Sequence, residues 1–275
     1  MTELEIARHN AWIDPSLHVW GWEIAVYLFL GGVAAGVMVL SALLSRDAEN
    51  SRAHRWLVLA APLALSIGML ALLLDLRYKL HVFRFYTAFR LSSPMSWGAW
   101  ILIAIYPATL LFGLARLSRV EADRLAASTL VRGLRLDGLL RRARGFACEH
   151  EAAVRTATLL LGIALGVYTG ILLSNLGART VWNSALLGPL FLASGVSGGA
   201  ALMMLAPVNR DEHLVLRRWD IGAIVVEATL LGLYLLALAS SVGRSGQDAA
   251  ALFLGGGFTA PFWALVVVAG LGVPL

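Results

Sequence analysis

The chain has 275 residues, of which 59% are hydrophobic and only 14% charged, with a mean hydropathy of +0.76. That excludes an ordinary soluble domain, in which about a quarter of residues are charged. The net charge of +5 and a pI near 9.9 do not point to nucleic acid, because the basic residues gather in one set of loops, as orientation in a membrane requires, and no nucleic-acid motif accompanies them.

A hydrocarbon core about 30 Å thick calls for about 20 apolar residues per helix. Seven stretches are read as spans: 20–44, 56–74, 97–117, 153–175, 185–206, 219–242 and a weaker one at 258–273. The residues before the first lack the basic, apolar and small-residue regions of a cleavable signal, so insertion is expected to rely on the first span. Trp20, Trp56, Trp97 and Trp219 open four of the spans, where the headgroup belt favours tryptophan.

The first span opens on HVWGWEIAVYLFLGGVAAG, with His18 at its mouth and Glu23 about one turn inside. Asp75 closes the second span at the same end, and the loop after it carries Arg77, Lys79, Arg84 and Arg90. The third loop, 118–152, is rich in arginine and reads as amphipathic surface helices. In the fourth span Tyr168 lies about 10 Å from the end that adjoins Asp75. The fifth span repeats the first weakly: LFLGGVAAG at 28–36 resembles LFLASGVSGG at 190–199, an echo that suggests a parallel repeat of four helices. Taken at face value it predicts eight helices in two four-helix bundles, one over about 18–175 and one over about 185–275, with the eighth helix missing or outside the chain; otherwise the repeat is fortuitous. Gly32 and Gly36, Gly162, Gly166 and Gly170, and Gly195 and Gly199 supply small faces for close helix contact. Glu227 stands about 12 Å from the opposite end of the sixth span. It is either a member of a proton path or a buried acid paired with a hydroxyl.

An ionisable group inside hydrocarbon costs a few kcal/mol, so each must face a partner, a cavity or a path. Taken singly, His18 reads as an interfacial histidine, Asp75 as a helix end paired with Arg77, and Tyr168 as a buried phenol bonded to a carbonyl. Their convergence at one face of the membrane suits a quinol headgroup, which needs partners for two oxygens and an acceptor for its protons while its isoprenoid tail stays in lipid. Cys148 is the only cysteine, which rules out an internal disulfide and a thiolate-held cluster or zinc. His9, His54, His81, His150 and His213 lie in tails, loops or span margins, so haem ligation within the membrane is not expected. A secondary transporter is the rival reading, resting on the glycine-rich pieces SGVSGG and GGGFTAP, and a purely structural anchor is another.

Six motifs in order, WGWEIAVYLFLGGVAAG, LLLDLRY, FRLSSPMSWGAWIL, GVYTGILLS, LFLASGVSGGAAL and GGGFTAPFW, resemble the NrfD-type membrane subunits of polysulphide reductase and its relatives. The resemblance implies an all-α integral membrane subunit without haem or iron–sulfur cluster of its own, lodged in the bacterial inner membrane. It implies electron exchange between a quinone, menaquinone or ubiquinone, and a four-cluster ferredoxin-like subunit. That partner serves a molybdenum or tungsten bis-pterin catalytic subunit or a multihaem cytochrome. By motif the quinone site falls on His18, Asp75 and Tyr168, with Asp14 where relatives often have an amide. Glu23 and Glu227 become candidates for proton transfer, and Arg77, Lys79, Arg84 and Arg90 for partner docking. The loop after Asp75 reads DLRYKLHVFRF where many relatives carry GRP. Lys and Arg fall fifteen to one side of the membrane and seven to the other, which sets the amino terminus outside and the arginine-rich loop inside.

Overall fold

The computed structural model describes residues 21–44, 51–76, 79–87, 89–90, 92–174, 180–241 and 243–275. The first long helix, α1 (Trp22–Leu44), is buried without interruption from Gly31 to Ala42. A helix buried on every side is a central helix, and α3 (Ala60–Asp75), α9 (Glu151–Ser174) and α10 (Leu187–Met204) pack around it. Helix α5 (Pro94–Arg116) packs on α9, and α11 (Arg210–Ala239) packs on α10. Among the described residues six helices are long and apolar enough to cross a membrane.

In lipid, the apolar effect gives helices no reason to associate, so close van der Waals contact must supply it. The two echoing segments do this by meeting face to face. A Cβ built at Gly36 would overlap the carbonyl of Gly195, one at Gly195 would stand 2.6 Å from the Gly32 oxygen, and one at Gly199 would stand 2.6 Å from Gly36. On α9 the same device recurs, with Gly162 against Met38 and Ala35, Gly166 against Leu192, and Gly170 against the backbone of Leu187 and Gly188.

Several boundaries differ from the sequence reading, each for a local reason. The second span is preceded by α2 (Arg52–Leu57) and breaks between it and α3. Pro62 has no N–H to give to Val58, and in its place the Ala61 N–H turns to that carbonyl at 3.3 Å. The sixth helix starts at Arg210, nine residues before Trp219. Glu212 caps it by accepting from the Asn209 N–H at 2.8 Å, and its other oxygen accepts from the Ser51 N–H at 2.7 Å. Between the sixth and seventh expected spans lies a further helix, α12 (Arg244–Phe253). The expected seventh span is a shorter apolar run, α13 (Thr259–Pro261) continued by a π-helix over Phe262–Gly272.

The arginine-rich loop folds into three helices, α6 (Arg119–Ala127), α7 (Thr129–Gly133) and α8 (Asp137–Glu149). Glu121 fastens it to the second span. Its carboxylate accepts from Arg55 Nε at 3.3 Å, Arg55 Nη2 at 3.2 Å and Trp56 Nε1 at 3.4 Å, and it completes a capping box with Ser118. Burial on its own would raise this carboxyl, yet the bonds from Arg55 and Ser118 outweigh it and hold Glu121 at about 2.

Two outcomes follow for the purified protein in detergent, both read by thermal unfolding. Gly36→Val should lower the midpoint sharply, since overpacking against a backbone costs about 1–3 kcal/mol or more, while Gly31→Ala, whose Cβ would meet nothing within 4 Å, should leave it unchanged. Glu121 is depressed relative to its ordinary 4.5, so its contribution is complete above that value and is lost as the pH falls toward about 2. Glu121→Gln should flatten that acid limb and cost about 1–3 kcal/mol at neutral pH.

Candidate functional site

At the end of the helices where α1 and α5 begin and α3 and α9 finish, a cavity of about 420 Å³ opens among them. Ile24, Tyr27 and Leu28 of α1 form one wall, and α3 supplies Met69, Leu72, Leu73 and Asp75. Met95, Ala99 and Leu102 of α5 face Tyr168 and Leu172 of α9. The short segment between α3 and α5, made of a 3₁₀ turn at Lys79–His81 and α4 (Arg84–Thr87), closes the mouth with Val82 and Tyr86. The lining is aliphatic apart from one carboxylate, Asp75, and three phenols, Tyr27, Tyr86 and Tyr168.

The motif SSPMSWGAW, at residues 92–100, builds much of this. Pro94 fits the first turn of α5, where its missing N–H costs nothing. Ser96, buried, accepts from the Arg90 N–H at 3.0 Å and so ties the preceding segment to the helix. Met95 and Ala99 face the cavity, and between them Gly98 leaves room for the Tyr168 ring, which a Cβ there would overlap. Tyr168 is 6% exposed and its phenol is fixed across α5 by that gap. Tyr86, half-buried outside the spans, is pushed up by burial and further by Tyr106, so it remains a protonated hydrogen-bond donor at ordinary pH.

Of the residues singled out in the sequence, the structure brings Asp75 and Tyr168 to one cavity. His18, Asp14 and Arg77 lie outside the described residues. Glu23 is half-buried in the first turn of α1, where a carboxylate favours the helix dipole, and does not line the cavity. Glu227 is also elsewhere: on α11 it meets the Ser194 hydroxyl of α10. One step along the same interface, Asp220 accepts from Ser197 Oγ at 2.6 Å and is 7% exposed. Lys79, Arg84 and Arg90 are exposed around the cavity mouth, beside exposed Phe83 and Phe89, the latter packed edge-on against Trp100.

Tyr27, Tyr86 and Asp220 went unremarked in the sequence. Tyr27 lies one turn beyond Glu23, at a depth comparable with Tyr168, and that matching depth was the available signal. Asp220 adjoins Trp219 at the expected margin of the sixth span, and its bond with Ser197 of α10 is what sets it apart. Among the described residues no three His, Cys, Asp or Glu side chains gather where they could hold a metal ion.

The helices and cavity define an integral, multi-pass membrane protein with a protonatable apolar pocket near one surface. Residues 13–275 match the family described as polysulphide reductase, NrfD, and the chain belongs to it. A polysulfide reductase polypeptide of Wolinella succinogenes is 30% identical over 270 residues, covering 94% of this chain and 82% of that protein. Protein NrfD of Escherichia coli is 32% identical over 268 residues, covering 93% and 82%. A putative dimethyl sulfoxide reductase membrane subunit of Halobacterium salinarum is 26% identical over 224 residues, covering 78% and 49%.

The Gly98 gap gives a direct test of how Tyr168 is held. Gly98→Ala should lower the unfolding midpoint, and adding Tyr168→Ala should restore part of the loss, so that a double-mutant cycle returns a coupling of about 1 kcal/mol or more. A cycle with no coupling would mean the ring does not lie over Gly98.

Proposed function

We propose that this chain is the haem-free, quinone-reactive membrane subunit of a bacterial respiratory oxidoreductase complex. The reading is carried by one observation: Asp75 and Tyr168, from helices distant in sequence, wall a single apolar cavity. Its donor set fits a quinone, with three phenols and a carboxylate for the two carbonyl oxygens and aliphatic side chains for the ring and the start of the tail. When bound, a quinone, menaquinone or ubiquinone, supplies reversible two-electron, two-proton chemistry.

The chain's own groups then have distinct tasks. Tyr168, held over Gly98, donates its hydroxyl to one carbonyl oxygen, and Tyr27 and Tyr86 offer donors beside it. Asp75, exposed at the cavity, takes a proton from a hydroxyl or returns one. His18, four residues before α1, and Asp14 join this group from the amino-terminal segment. The aliphatic wall keeps water from the reacting oxygens. Proton passage falls to Glu23 and Glu227, the latter extended along α10 and α11 by Ser194, Ser197 and Asp220.

The polysulfide reductase and dimethyl sulfoxide reductase relatives are by name parts of larger enzymes. That supports a four-cluster ferredoxin-like iron–sulfur partner here, and behind it a molybdenum or tungsten bis-pterin subunit or a multihaem cytochrome. The partner docks on the segment beside the cavity where Lys79, Arg84 and Arg90 are exposed, with Arg77 as a further candidate contact, so that electrons cross a short distance. The positive-inside bias sets that face, and the amino terminus, outside the bacterial inner membrane.

In a complex purified with its partners, Asp75→Asn should cut quinol-linked turnover by about a hundredfold, and Tyr168→Phe by about tenfold. His18→Ala should fall in the same range. Turnover driven by a soluble dye that bypasses this chain should be unchanged by all three, and equal loss of both activities would sink the proposal.

A further inference from the structure

A second concavity, of about 550 Å³, shares no residue with the first and runs along the seam of α10 and α11. Ala193 and Ala223, both buried, and Gly222 give it a low floor, and a Cβ at Gly222 would meet nothing within 4 Å. Leu192, Val226 and Leu230 form its sides. The lining is apolar over its whole length except at one end, where Arg218 and Trp219 stand exposed. Arg218 has no ion-pair partner among the described residues, and Arg217 beside it is exposed as well.

Length identifies what fits. From Arg218 to Leu230 the helix rises about 18 Å, close to the depth of one leaflet of a hydrocarbon core about 30 Å thick. A partner helix crossing the bilayer would use a seam twice as long. One acyl chain needs only this much, with its headgroup at the arginine and its glycerol ester region beside an indole, which favours that level of the membrane. The charge at the mouth selects among lipids: a headgroup with net negative charge pairs with Arg218, whereas a zwitterionic one gains little.

We infer that the α10–α11 trough is a binding site for an anionic glycerophospholipid, with the phosphate on Arg218 and one acyl chain lying over Gly222 as far as Leu230. The site belongs to the membrane-embedded fold and stands whether or not the other cavity takes a quinone.

The test uses the full chain in mild detergent, titrated with equal amounts of phosphatidylglycerol and phosphatidylcholine and read by native mass spectrometry as lipids retained per protein. The wild type should retain phosphatidylglycerol in preference. Arg218→Gln should reduce that preference about fivefold, the effect of one basic side chain near an anionic headgroup, and Gly222→Leu, which fills the trough, should remove one bound lipid of either kind. Arg142→Gln, on the exposed face of α8, should leave both readings unchanged. Equal retention of the two lipids, an undiminished preference in Arg218→Gln, the same loss in Arg142→Gln, or a cross-link from Val226→Cys to a protein helix instead of lipid would each overturn the assignment.

Discussion

The architecture depends on the absence of side chains where α1 crosses α10. Gly32 and Gly36 meet Gly195 and Gly199 so closely that a methyl group on any of three of them would strike backbone. That contact makes α1 the axis of the molecule, wrapped by α3, α9 and α10 with twelve successive residues hidden. In lipid, where apolar surface alone gives no attraction between helices, backbone proximity of this kind is the available source of cohesion. Toward the end where α1 begins, Ile24, Tyr27 and Leu28 face α3, α5 and α9 instead of α10, and the cavity lies among those helices.

The sequence made the spanning helices legible because hydrocarbon leaves them few alternatives, and the glycine faces legible because their spacing repeats. It concealed what depends on particular neighbours. Pro62 divides the second span only because the preceding turn can reroute Ala61 to Val58, and α11 extends to Arg210 because Glu212 finds the Ser51 N–H on another helix. At the site, Asp75 and Tyr168 could be paired in advance, since each is polar toward the same end of its span. Tyr27 offered only its depth as a signal, and Tyr86 could not be distinguished from an ordinary packing tyrosine until the cavity placed them together. Membership of the NrfD family agrees with the six motifs, of which SSPMSWGAW carries the most structural work: a helix start, a tied loop and a gap for a phenol.

The acids divide by how they are met. Glu121 is paired with Arg55 and bonded in a cap, Asp220 accepts a hydrogen bond from a serine hydroxyl, and Glu227 meets another. Asp75 differs in facing open space lined with apolar groups.

The segment between α3 and α5 has two sides. Val82 and Tyr86 wall the cavity, while Lys79, Arg84 and Arg90 turn to solvent on the same few residues of backbone. Thermodynamic reciprocity then applies: if a body resting on the cations shifts this segment and changes the affinity of the cavity by some factor, an occupant of the cavity changes the affinity for that body by the same factor. Attachment at the surface and occupancy below it are thereby linked equilibria, joined by this short stretch of backbone instead of by the membrane core.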